Sequence, residues 1–124
     1  MIPRIESSIE RFGDRFLDRV FTAAEREHAD RLSGAARMGS YAKRWAAKEA
    51  CAKALGTGFA NGVQLPDVGV INSESGAPVL VLSGRAKDVC DSLAPAGHRA
   101  EVLVSLTDDP PFALAQVIIQ AVTA

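Results

Sequence analysis

The chain has 124 residues, 48% of them hydrophobic, and a formal net charge of −1. That length fits a single domain spanning 1–124, and the apolar content excludes a disordered chain. A near-neutral total excludes a whole-chain field for nucleic acid or anionic membrane, so any charge-driven partner must meet a local patch.

Cys51 and Cys90 stand far apart with no C-x-x-C, which argues against zinc and against a disulfide scaffold and for reduced thiols. The N-terminus lacks an apolar signal core, and no run approaches the ~18 residues of a membrane span. A soluble, cytoplasmic protein is expected.

In chain order, Pro3 suits the first turn of a helix, and a 3.6-residue period over positions 4–20 lines up Ile5, Ile9, Phe12, Phe16 and Val20 as a core-facing stripe. Thr22 and Glu25 form a T-x-x-E capping box that opens a second helix, ended by Ser33 and Gly34. A third helix is expected from about Arg37 to Leu55, with Gly56 as its stop. "DVGVIN" and "PVLVLS" read as a hairpin turned at Gly76, and "GRAKDVCDSLA" as a short helix ended before Pro95. "AEVLVSLT" and "FALAQVIIQAV" are two further strands, joined at Asp108, Asp109, Pro110 and Pro111. Helices first and antiparallel strands later is the α+β pattern: N-terminal helices and a long central helix packed on a small antiparallel sheet.

The third helix carries the chemistry. Its apolar residues run right round the wheel, which predicts burial, yet it also holds Lys43, Arg44, Lys48, Glu49 and Lys53. Buried charges cost several kcal/mol unless paired or coordinated. Trp45, Glu49 and Lys53 share one face at four-residue spacing. Glu49 and Lys53 make either an ordinary i,i+4 pair or, with one carboxylate among four cations, part of a site for a polyanion or a phosphate–metal group. Gly56 is a helix cap in either case, and no Walker A pattern occurs. Phosphate beside this helix C-terminus would be held by lysines and metal, because the dipole there is negative.

The string "WAAKEACAKALGTG", Trp45 to Gly58, resembles the signature of the holo-acyl-carrier-protein synthases, the small trimeric 4'-phosphopantetheinyl transferases. "RIESSIERFGDRF", "VFTAAE", "GVQLPDVGV", "SGAPVLVLSG" and "VSLTDD" follow in the family's order. The resemblance implies the 4'-phosphopantetheinyl transferase fold, and transfer of 4'-phosphopantetheine from coenzyme A to a serine of apo-acyl carrier protein with release of adenosine 3',5'-bisphosphate. It implies Glu49 as a Mg2+ ligand and Lys53 as a catalytic phosphate contact; chemically, Glu49 or a metal-bound water it orients can accept the serine proton. It further implies coenzyme binding by Arg44, Lys48, Lys53, Gly56 and Gly58, and a homotrimer with sites between subunits. Such chemistry asks mostly for positioning and charge neutralisation, and magnesium needs few protein carboxylates when phosphates and waters complete its shell.

Two positions depart from the family. Its members begin with a short strand carrying G-x-D ahead of the segment matching "RIE", and that aspartate is a further magnesium ligand, whereas Met1-Ile2-Pro3 precede Arg4 here. Leu103 stands where a histidine near the coenzyme is frequent. A non-catalytic module binding acyl carrier protein or coenzyme A is therefore the second reading.

In the first helix Arg4, Arg11, Arg15 and Arg19 fall within about 80° on the wheel, with Asp14 and Asp18 three residues after Arg11 and Arg15. The stripe is either a solvated face or a dock for the acidic helix of a carrier protein. Ser105, His98 and Asp108 lack the G-x-S-x-G context of a hydrolase, and too few aromatics accompany the cations for a nucleic-acid module.

Overall fold

The computed structural model describes residues 1–124. Its elements are α1 (Ile2–Phe12), α2 (Asp14–Val20), α3 (Ala23–Asp30), α4 (Gly34–Leu55), a 3-10 turn (Leu65–Asp67), β1 (Val68–Asn72), β2 (Pro78–Leu82), α5 (Gly84–Ser92), β3 (His98–Asp109) and β4 (Phe112–Thr123). The expected α+β order holds. The strands form two separate antiparallel pairs, β1–β2 and β3–β4, rather than one sheet.

The single helix expected over 4–20 is broken. Gly13 sits at φ 57°, ψ −135°, a conformation closed to residues with a Cβ, and it caps α1 with its own amide on the Ile9 carbonyl at 2.8 Å. The change of direction turns Phe12 outward, to 54% exposure, and Leu17 replaces it inside at 3%. The arginine stripe is split by the same break, with Arg4 and Arg11 on α1 and Arg15 and Arg19 on α2. Asp14 and Asp18 both pair with Arg26 of α3 instead of with Arg11 and Arg15.

α4 starts earlier than expected, at Gly34 behind Ser33, and ends as expected at Gly56, left-handed at φ 84°. It is the spine between two cores. One joins α1, α2 and α3 to the first half of α4 through Ile5, Ile9, Leu17, Phe21 and Tyr41. The other joins the second half, through Ala47, Cys51 and Leu55, to Val68, Val70, Leu80, Ala86 and Cys90. The inner face of β3–β4, including Val102, Val104, Val117 and Ile119, closes this second core. Alternation sends the other residues out. Leu103 and Ile118, directly opposite in the ladder, are each 46% exposed. The ladder runs to Asp109 opposite Phe112, so Pro110 and Pro111 occupy only the turn, where no ladder donor is needed.

Candidate active site

The charges of α4 divide by face. Lys48 is fully buried, with its Nζ 2.7 Å from Glu25 Oε1 and hydrogen bonds to the carbonyls of Leu65 and Val68. An ammonium has three protons, and these partners use all of them. Lys48 therefore offers nothing to a phosphate, contrary to its expected place among the coenzyme ligands. Its partner was hidden in the capping box: Glu25 Oε1 also accepts from the Thr22 amide at 2.9 Å, and Oε2 from the Val70 amide at 3.0 Å. Burial pushes the Lys48 ammonium below its ordinary value, and Glu25 opposes that shift.

Glu49 and Lys53 lie on the opposite, solvent-facing side, against the expectation of all-round burial. Neither makes an ion pair, so the ordinary i,i+4 bridge does not form. Glu49 borders a hollow of about 170 Å³ with Arg4, Ser8, Phe16 and Trp45, whose ring stacks on Phe16 at 6.1 Å. A free carboxylate and a free ammonium one helical turn apart can accept a proton and neutralise a phosphoryl oxygen.

Gly56 and Gly58 serve the helix end. The Gly56 amide donates to Lys53 O at 3.0 Å and the Gly58 amide to Ala52 O at 3.1 Å, both with positive φ. With both amides committed, neither glycine presents a free backbone donor to a ligand.

Arg44 faces a different cleft, of about 350 Å³, together with His28, Ser40, Lys43, Asn72 and Asp108. Its two terminal nitrogens donate to Ser40 Oγ at 2.9 Å and Asn72 Oδ1 at 2.8 Å, while its buried Nε has no partner. Lys43 pairs with Asp108 at 3.1 Å. Burial first, then Arg44, Arg31 and Lys43, lowers the His28 pKa from 6.5. Arg44 and Glu49 are about 140° apart around the helix, so one chain does not bring them to one pocket. Ser40 and Asn72 went unread because they join Arg44 through its side chain and the fold rather than through a sequence motif.

Arg4, Arg11, Arg15 and Arg19 are exposed and free of ion pairs. Arg15 and Arg19 edge a groove of about 840 Å³ floored by Phe12, Phe16, Phe59 and Leu65. The thiols play no part: burial raises both, Cys51 to about 11, leaving them protonated and inert.

No three His, Cys, Asp or Glu side chains group as a metal cage. The residues present fit magnesium only in its phosphate-assisted form, in which one unpaired hard carboxylate, here Glu49, joins substrate and water oxygens. No helix is long and apolar enough to cross a membrane.

Against known proteins, the profile of the 4'-phosphopantetheinyl transferase superfamily matches residues 1–113. A holo-[acyl-carrier-protein] synthase of Gluconobacter oxydans is 72% identical over 122 residues, covering 98% of this chain and 78% of that protein. The Helicobacter pylori holo-[acyl-carrier-protein] synthase in complex with coenzyme A superposes with a TM-score of 0.78 at 28% identity, covering 96% of this chain and 93% of that one. The Bacillus anthracis holo-(acyl-carrier-protein) synthase, in complex with CoA (3',5'-ADP), gives 0.74 at 34% identity, over 95% of this chain and 87% of that one. With the W-x-x-K-E-x-x-x-K helix in place between its two cores, the chain belongs to the 4'-phosphopantetheinyl transferase superfamily.

Proposed function

We propose that this chain transfers 4'-phosphopantetheine from coenzyme A to a serine of an apo-acyl carrier protein. The observation that carries the reading is the free Glu49–Lys53 face on a helix whose neighbouring Lys48 is locked inside. The serine oxygen bonds to the phosphorus bearing the pantetheine arm, and the bond from that phosphorus to the leaving phosphate oxygen breaks. The serine proton passes to Glu49, and adenosine 3',5'-bisphosphate leaves with the electron pair. Lys53 balances the charge on the phosphoryl oxygens. Magnesium, held by Glu49 with phosphate and water oxygens, supplies further charge neutralisation when bound.

Arg44, Lys43 and His28 line a cleft whose positive charge suits the bisphosphate end of the coenzyme. That cleft opens away from Glu49, so one coenzyme reaches both only if two copies of the chain share it. A homotrimer meets this need, and exposed Leu103, Leu114 and Ile118 on β3–β4 give such copies an apolar face to bury. Arg4, Arg11 and Arg15 dock the acidic carrier protein beside the aromatic groove. Acyl carrier protein and coenzyme A as partners support a cytoplasmic location for the enzyme.

The test is to incubate the chain with Mg2+, coenzyme A and apo-acyl carrier protein and to weigh the carrier by mass spectrometry. A phosphopantetheine adduct, absent with Glu49→Gln, is expected. Carrier binding without any adduct would replace this reading by the non-catalytic module.

A further inference from the structure

The structure assigns Glu25 as the positioning residue of the Glu49–Lys53 face: through Lys48 it fixes the rotation of α4 about its own axis. The inference rests on the proposed transferase reading for its kinetic consequence only. α4 buries two large apolar anchors, Tyr41 and Leu55, and between them its buried apolar residues are only Ala42, Ala47, Cys51 and Ala52, all small. Over that stretch the ridges are shallow, so apolar packing there sets the rotation of the helix only weakly. Lys48 supplies what the alanines lack. Its three bonds run to Glu25 on α3, to Leu65 in the 3-10 turn and to Val68 in β1. They are directional, and the Lys48 and Glu25 side chains that make the charged contact are both at zero exposure.

Glu25 is itself clamped, by the Thr22 amide at the start of α3 and the Val70 amide in β1. The pin is thus anchored in two elements that α4 does not contain. Setting register is the best-attested use of a buried polar pair, whose net contribution to stability is small. The lever is short: a side-chain tip lies roughly 5–6 Å from a helix axis, so a 10° turn carries the Glu49 carboxylate about 1 Å. A displacement of that size can cost on the order of 100-fold in rate.

The double variant Glu25→Gln with Lys48→Met removes one charge of each sign, leaving the net charge and the long-range field unchanged, while glutamine keeps an acceptor for the cap. Trp45, the only tryptophan, lies three residues from Lys48 on the same helix and stacks on Phe16, so its emission reports rotation of α4 without reference to activity. In a cooperatively folded variant we expect a shifted Trp45 emission and a kcat at least about tenfold lower, with KM for coenzyme A within about threefold. A folded variant with the parent's emission overturns the inference, whether kcat falls or not. If the parent chain loads no carrier protein, the function reading fails and Trp45 alone still decides the pin. Glu25→Asp, which keeps the charge and shortens the reach by one methylene, puts the same question should the double variant not fold; unchanged emission there also overturns it.

Discussion

Lys48 is fully buried with every ammonium proton bound, whereas Glu49, the next residue, faces solvent with no ion pair. Neighbouring residues on a helix lie about 100° apart, enough here to separate an interior from a surface. In the interior a charge survives only when all its hydrogen-bonding capacity is met, so Lys48 is committed to the fold. At the surface Glu49 and Lys53 are stabilised by water, which a ligand can displace. The charge cluster of one short motif thus contains two populations with different duties.

The largest expected effect tests the interior side. Glu25→Gln leaves the Lys48 charge without its counterion and should lower stability by about 3–5 kcal/mol in urea unfolding, while Glu49→Gln should stay within about 0.5 kcal/mol of the parent. Equal losses would break the contrast. On the surface side, Glu49→Gln should lower kcat for carrier loading by roughly 100- to 1,000-fold, the usual cost of one preorganised group at a reacting centre; an unchanged kcat removes Glu49 from the chemistry.

Charge reversal at Arg15, an exposed rim residue, should raise KM for the carrier protein by roughly tenfold, with an effect that fades in salt. The same change leaving KM and its salt dependence untouched would move the docking surface elsewhere.

The smallest effect concerns the Arg44 cleft. Burial and the surrounding cations hold His28 below 6.5, so between its folded and unfolded pKa values the unfolded chain binds more protons and stability rises with pH. An anion in the cleft offsets the cations and raises the His28 pKa, so adenosine 3',5'-bisphosphate should bind with proton uptake and more tightly as pH falls from the bound to the free His28 pKa, by up to about tenfold for each unit gained. Titration of His28 by NMR with and without the nucleotide checks this. An unmoved pKa would take the anion out of the cleft.

Much of the fold was legible locally. The Thr22–Glu25 box, the Gly56 stop, the Gly76 turn and the period-2 strands each depend on a few consecutive residues, and each forms where the pattern places it. Gly13 was misread because a hydrophobic period continues across it; only its backbone conformation breaks the helix. In the site, Glu49 and Lys53 were legible as a shared face. The fate of Lys48 was not, since its carboxylate comes from α3 and its carbonyls from the segment Leu65–Val68.

By itself the sequence determined the α+β order of elements, the long alanine-rich helix and the family to which its charged string belongs, because period, caps and motif are local properties. Only the tertiary structure decided which of those charges are spent inside and which stay free, because burial and pairing depend on segments distant in the chain meeting around α4.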